Sequence, residues 1–380
     1  MTRPLQCEAL IIGAGPAGAS LAVWLAEQGW DCLLADRARF PRRKPCASCF
    51  SPRCFAALRR LGLEETVKSG QQIRYLELQV PERCLRLETA KNPLGPDFYV
   101  FPRESFDAML VEMAKARSVR LLEGISIESL TRQNGCVVGA CSEEMEIRAG
   151  ITVIATGANT RFLPPERRPF LRSYQTLIGW FEGFRDLDPF TTDSFSAPWL
   201  PGNGWVFPES DQRANVGIMV HADLLRRSRR NLKALFEDYC DSPFLKHRLR
   251  GAKRIGRLWG CPIRYAPRPA GIHGNGYLMI GEASLLTHPL TGEGISQAFC
   301  SAWAASKTLR MAREEGSFRK EELEPYHQEI LRRFRRNFWK ASGIRRLMDF
   351  PHFMKSFLLL GWLVPGLRCW VERRLNLFVL

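Results

Sequence analysis

A glycine-rich turn set between an apolar run and a helical run constrains this chain more than any other feature. Ala9 to Ile12 is a short apolar stretch of the kind that fills a buried parallel strand. Gly13-Ala14-Gly15-Pro16-Ala17-Gly18 follows at once, then a helical stretch from Ala19 to Gln28 that Gly29 stops. A second apolar run, Cys32 to Ala35, ends in Asp36. Each piece has a physical task. Gly13 permits the tight turn, Gly15 lets the backbone approach a pyrophosphate, and Gly18 lets the helix lie close on the strand. Pro16 and Ala17 complete the loop, and the helix N-terminus turns free N–H groups and a positive dipole end toward phosphate. Asp36, with Arg37 beside it, stands where an acid accepts the ribose hydroxyls of an adenosine. Strand, turn, helix, strand and acid in that order imply a bound dinucleotide without fixing which one.

Pieces far down the chain extend the same site. Ile151 to Ala155 is another strand, ending in Ala155-Thr156-Gly157, and Tyr277 to Ile280 runs into Gly281-Glu282-Ala283. His288-Pro289-Leu290-Thr291-Gly292-Glu293-Gly294-Ile295 then opens a long helix through Trp303 to Leu309. Three strand ends carrying glycine and acid are expected to meet in one crevice at the carboxyl edge of a parallel sheet.

On these residues the chain resembles the glutathione-reductase-type, p-hydroxybenzoate-hydroxylase-like FAD-binding fold, and within it the geranylgeranyl reductase family of flavoproteins. The family's Gly-Asp-Ala and Pro-x-x-Gly-Glu-Gly-Ile are matched by Gly281-Glu282-Ala283 and by Pro289 to Ile295. Its Lys-x-Cys-Gly-Gly segment is similar to Lys44-Pro45-Cys46-Ala47-Ser48, and its Arg-x-x-Phe-Asp-x-x-Leu helix to Arg103-Glu104-Ser105-Phe106-Asp107-Ala108-Met109-Leu110. The Trp-x-Phe-Pro strand appears as Trp205-Val206-Phe207-Pro208, followed by Ala214-Asn215-Val216-Gly217.

The resemblance implies an α/β fold: a Rossmann-type FAD-binding domain with a parallel sheet, an inserted, mainly antiparallel β-sheet substrate domain, and C-terminal helices. The expected division is 1–71, 101–164 and 270–312 for the discontinuous FAD domain, 72–100 and 165–269 for the substrate domain, and 313–380 for a helical end. FAD would be held by the glycine turn, Asp36, Arg37, Lys44, Pro45, Arg103, Ala155, Gly157, Gly281, Glu282 and the turn Pro289, Gly292, Glu293, Gly294, Ile295. Glu282, standing where the family has Asp, would bond the ribityl or ribose chain. The helix opening at Gly292 would point its positive end at the flavin pyrimidine edge and stabilise negative charge there. Cys46 occupies the family's reactive cysteine position and is the first candidate for protonating substrate. His288 is the second, beside a helix N-terminus whose positive end disfavours an imidazolium.

Alternating runs such as Tyr75 to Val80 and Thr176 to Phe181 predict an antiparallel sheet with one buried face. Trp180, Phe181, Phe195, Trp199, Trp205 and Phe207 make it aromatic-rich, which suits a lipophilic or flat substrate. The family motif has Tyr two residues before its Trp and begins with Pro; this chain carries Asn203 and Leu200 there. Asn203, Trp205 and Phe207 are therefore the substrate-pocket candidates, and Asn203 alters a position thought to shape the isoprenoid pocket.

The formal net charge of +16 calls for a negative partner. It gathers at Arg226, Arg227, Arg229 and Arg230 and again from Arg332 to Arg346. Docking on an anionic membrane surface, or on an acidic carrier protein presenting a tethered substrate, fits that pattern. Nucleic acid does not, since no recognition module accompanies the charge. Twelve cysteines without regular spacing and no leader-like N-terminus point to reduced thiols in the cytoplasm, with the inner face of a membrane as the peripheral alternative. Cys46-x-x-Cys49 has no second pair at ligand spacing, so no metal site is expected. Phe357 to Val364 is too short to span a bilayer.

Two functions are open at this point. One is an FAD-dependent reductase or dehydrogenase acting on carbon–carbon bonds of a lipophilic or natural-product substrate. The alternative is a monooxygenase or halogenase, which the same fold hosts. Trp205-Val206-Phe207-Pro208 differs from the Trp-x-Trp-x-Ile-Pro of halogenases, and Thr156 and Leu163 alter the hydroxylases' Asp-Gly motif. Both departures favour reduction. No second strand–GxGxxG–helix unit appears, so NAD(P)H or another electron donor would visit without a domain of its own.

Overall fold

The computed structural model describes residues 4–80, 83–91, 95, 97–188, 191–195 and 202–348. They form two compact units, each assembled from separated stretches of chain. One contains the chain up to Arg43, Glu104–Leu171 and Arg264–Lys340; the other contains Lys44–Arg103, Arg172–Ile263 and the chain from Ala341.

The first unit is built on an eight-stranded sheet. Strand Leu5–Ile12 lies at its centre, paired in parallel with Glu146–Ile154 on one side and Cys32–Asp36 on the other. Arg120–Glu123 and Tyr277–Met279 continue the parallel order outward, while Ser129–Gln133, Cys136–Cys141 and His273–Gly274 pair antiparallel. Leu10 and Ile12 enter a core with Leu33, Ile147 and Ile154, and the intervening Ala9 and Ile11 are also fully buried. A strand buried on both faces must be apolar throughout, which is why Ala9 to Ile12 shows no alternation.

Helix Pro16–Ala26 is buried from Pro16 through Leu25 and so carries no polar face. It starts three residues before the helical run anticipated from Ala19. Proline is suited to a first helical turn because its missing N–H would have no partner there. Ile295–Glu314 packs against it, with Trp24 and Trp303 edge to face at 5.1 Å.

The second unit is built on a seven-stranded sheet, in the order Lys253–Tyr265, Arg172–Glu182, Arg213–His221, Gly202–Pro208, Thr191–Phe195, Tyr75–Val80, Arg83–Glu88. Thr191–Phe195 pairs in parallel with Tyr75–Val80, whereas Arg213–His221 pairs antiparallel with both of its neighbours. Period-2 alternation divides its faces. Leu177, Phe181, Val206, Val216 and Ile218 turn toward a cluster with Phe236 and Tyr239 of helix Leu232–Cys240. The opposite face bears Tyr174, Ile178, Trp205, Phe207 and Met219, and Phe207 packs on Ile73, Phe98 and Val100 beside a small three-stranded sheet. The parallel-sheet fold with a mainly antiparallel second sheet and a long helix after Met311 is as expected. The Phe195 side chain, Trp199, Leu200 and the tail from Phe353 to Leu380 lie outside the described residues.

That long helix, Lys320–Met348, is pinned by Tyr326, whose buried hydroxyl donates to the Met279 carbonyl at 2.6 Å. Replacing it leaves a buried acceptor short of its donor. Tyr326→Phe is expected to lower unfolding stability by about 1–2 kcal/mol in denaturant titration while leaving cofactor content intact. An unchanged stability would mean the bond contributes nothing net.

Candidate FAD site

At the end of the first strand Gly13 has φ +108°, a conformation that disfavours any side chain, and a Cβ there would overlap the Ala155 carbonyl. Its N–H donates to the Ala35 carbonyl at 2.7 Å. A Cβ on Gly18 would overlap the Gly13 carbonyl and stand 3.1 Å from the Ala155 side chain. These two glycines are demanded by the protein's own packing. Gly15 is different. Its φ of −76° suits any residue, and a Cβ would meet only the Arg42 guanidinium, at 3.6 Å. Gly15 also N-caps the helix with no side-chain cap present. An uncapped helix N-terminus beside a glycine that packing does not require is a cradle suited to a pyrophosphate.

Asp36 is held rigidly at the edge of the cradle. One carboxylate oxygen accepts from the Ala14 N–H at 2.7 Å and the other from the Ala38 N–H at 2.8 Å. Each oxygen retains a lone pair for a ribose hydroxyl. Arg37 is exposed next to it.

The other strand ends close around the same helix. Gly157 follows Ala155 with φ +62°, and the nearest group to its Cβ direction is a Glu282 carboxylate oxygen at 3.8 Å. The other Glu282 oxygen accepts from the Arg264 N–H at 2.8 Å. Gly281 donates its N–H to Ser301 Oγ at 2.9 Å, and its Cβ would press on Ala17 at 3.1 Å. The first helix, the Gly281–Ser284 turn and the Ile295–Glu314 helix therefore meet at one point.

The His288 to Gly294 loop is closed by its own hydrogen bonds. His288 N–H donates to the Glu293 carbonyl at 2.8 Å, and Gly292 N–H returns to the His288 carbonyl at 3.1 Å. The His288 ring is 1% exposed; its Nδ1 accepts from the Thr291 N–H at 3.3 Å, and its face meets Phe338 edge-on. Pro289 and Ile295 are buried, Gly292 has φ +71°, and Gly294 precedes the long helix without a side-chain cap. A second uncapped N-terminus is thus presented by a rigid loop.

The sequence-predicted residues therefore divide. Gly13 to Gly18, Asp36, Arg37, Ala155, Gly157, Gly281, Glu282, His288 and Pro289 to Ile295 belong to the first unit. Lys44, Pro45, Cys46, Arg103, Asn203, Trp205 and Phe207 belong to the second. Within that unit the Cys46 Sγ accepts from the Ser48 N–H at 3.3 Å, Arg103 is buried at a helix start, and Asn203 is half-buried opposite Met219.

One cation was not evident from the sequence. Arg42 bonds Asp107 at 3.1 Å and lies 16% exposed, whereas the Asp107 carboxylate is fully buried. A buried carboxylate needs such a partner, so the pair fixes the guanidinium beside Gly15. Phe106, one residue earlier, packs edge-on against Phe299 of the long helix at 6.1 Å. The Phe-Asp of the Arg103 helix is thereby explained: one anchors the helix, the other aims Arg42. The buried acid sixty-five positions away was the only signal, and it gains meaning only from the fold. Among the described residues no cluster suited to a metal occurs, and the ten cysteines whose side chains are described are free thiols.

The family model described as an FAD binding domain matches residues 6–162. Menaquinone reductase of Mycolicibacterium smegmatis is 28% identical over 304 residues, 76% of this chain and 73% of that protein. Digeranylgeranylglycerophospholipid reductase of Methanospirillum hungatei is 25% identical over 365 residues, 92% of this chain and 85% of that one. A geranylgeranyl bacteriochlorophyll reductase-like protein of Thermoplasma acidophilum shares the fold, with a TM-score of 0.80 at 20% identity over 93% of this chain and 91% of its own. The cofactor is FAD, and the cradle's residues fit it.

Loss of a charge-assisted contact costs about 1.5–3 kcal/mol. Arg42→Ala should therefore weaken FAD binding to the apoprotein by roughly ten- to a hundredfold in a fluorescence titration. Unaltered affinity would remove Arg42 from the site.

Proposed function

We propose that this flavoprotein reduces carbon–carbon double bonds of a polyprenyl or comparably lipophilic substrate. The reading is carried by one combination: an FAD cradle in a chain that is similar over most of its length to a menaquinone reductase and a digeranylgeranylglycerophospholipid reductase. The apolar sheet face of Tyr174, Ile178, Trp205, Phe207 and Met219 supports a flat or lipophilic substrate.

FAD, held by the glycine turn, Asp36 and the Gly292–Gly294 loop, would supply hydride-transfer chemistry for one carbon of the double bond. The chain's own residues do the rest. The uncapped helix N-terminus after Gly294 favours negative charge on the group it faces. His288 shapes the loop that presents it, with Nδ1 engaged by Thr291. Cys46, half-exposed, is assigned the proton for the second carbon and regains it from solvent. NAD(P)H or another donor returns the electron pair.

Reduced protein and polyprenyl substrates of graded length, mixed without oxygen, should yield product with two added hydrogens per double bond by mass spectrometry. Turnover that requires oxygen, with oxygen or halide entering the product, would overturn the reading in favour of the monooxygenase or halogenase class. Cys46→Ala should lower kcat on the order of a hundredfold with FAD content unchanged.

A polyprenyl substrate resides in a bilayer, and Lys320–Met348 offers a face suited to one. Trp339 is 71% exposed among exposed Arg335, Arg336 and Lys340. Among the described residues no helix is long and apolar enough to cross a membrane. Peripheral docking predicts flotation with anionic vesicles at low salt and release at high salt; absence of flotation at low salt would exclude it.

A further inference from the structure

We propose that Asn215 is a positioning residue for Cys46, tying the cysteine's loop to the substrate sheet and so fixing where its sulfur stands. The proposal rests on the role given to Cys46 above.

Asn215 is 0% exposed, on strand Arg213–His221 directly opposite Phe207. Its Oδ1 accepts from the Trp205 Nε1–H at 3.0 Å, and its Nδ2 donates to the Cys46 carbonyl at 2.9 Å. The two bonds dictate each other. An indole N–H can only donate and a carbonyl can only accept, so a flipped amide would set donor against donor and acceptor against acceptor. Trp205 thereby selects the orientation that holds Cys46. Its ring lies against Gly217, where any Cβ would overlap it, so the indole is fixed in turn by the sheet.

The loop transmits this placement to the sulfur. Ser48 adopts φ +61° and is buried, which turns its N–H onto Cys46 Sγ, and its carbonyl accepts from the Phe101 N–H at 3.0 Å. The Ser48 N–H fixes the direction in which the sulfur points. Asn215, 169 positions away, holds the carbonyl of the residue that carries that sulfur. One side-chain amide thus supplies both the acceptor for Trp205 and the donor to Cys46.

Asn215→Asp keeps the acceptor for Trp205 but removes the donor to Cys46. Trp205→Phe keeps Asn215 but frees its orientation, and it guards against the buried aspartate simply impairing folding. Both proteins, purified with FAD, are compared with wild type by iodoacetamide labelling of the Cys46 peptide at neutral pH and by steady-state kinetics. The burial that holds Cys7, Cys32 and Cys240 up at about 12 keeps those thiols slow, and peptide mapping separates the remainder. The expected result in both variants is several-fold slower labelling at Cys46 and a kcat at least roughly tenfold lower with FAD content nearly unchanged, and in Asn215→Asp a KM nearly unchanged as well. Labelling that is unchanged or faster in both variants overturns the proposal. If Cys46→Ala retains full kcat, the proton-donor role fails, while slowed labelling in the Asn215 variant would still establish the positioning.

Discussion

The contact on which the FAD unit depends is the approach of the first helix to the strand-end loop before it. Gly18 lies so close to the Gly13 carbonyl that no side chain fits between them, and Ala155 from the neighbouring strand closes the third side. That approach sets the helix N-terminus at the carboxyl edge of the sheet, leaving its first N–H groups directed outward. Asp36 then anchors to Ala14 within the same loop, and Gly281 brings the second long helix against Ala17. Each later element refers its position to this one close contact. Its glycines are consequently of two sorts: Gly13 and Gly18 are demanded by the protein's own packing, while Gly15 is not.

What could be read in advance follows from the range over which each signal acts. The strands at Ala9, Cys32 and Ile151 and the helix after Gly294 were legible because burial imposes a local pattern on contiguous residues. The helix start at Pro16 was placed late, at Ala19, because a glycine-rich stretch masks helical periodicity. Arg42 and Asp107, or Cys46 and Asn215, are joined only by the fold. Arg42 sits in a run with Arg43, whose ion pair with Glu104 is about half exposed, and nothing local tells the two arginines apart. Only the burial of Asp107 does.

The resemblance to Lys-x-Cys-Gly-Gly gains a physical meaning at Ser48. The second glycine of that segment falls on a residue with φ +61°, a region that costs an ordinary side chain about 1 kcal/mol or more. Serine bears this cost here, with its hydroxyl 3.5 Å from the Cys46 carbonyl as partial compensation. The same carbonyl accepts from Asn215, so the departure from glycine stays within a network that already holds the loop.

Twelve scattered cysteines would suggest interchangeable thiols, and their surroundings show otherwise. Burial pushes Cys7, Cys32 and Cys240 up to about 12, which leaves them protonated and inert at neutral pH. Cys46 is half-exposed, with a backbone N–H aimed at its sulfur and a buried amide at its carbonyl. Both supports come from the unit that carries the aromatic sheet.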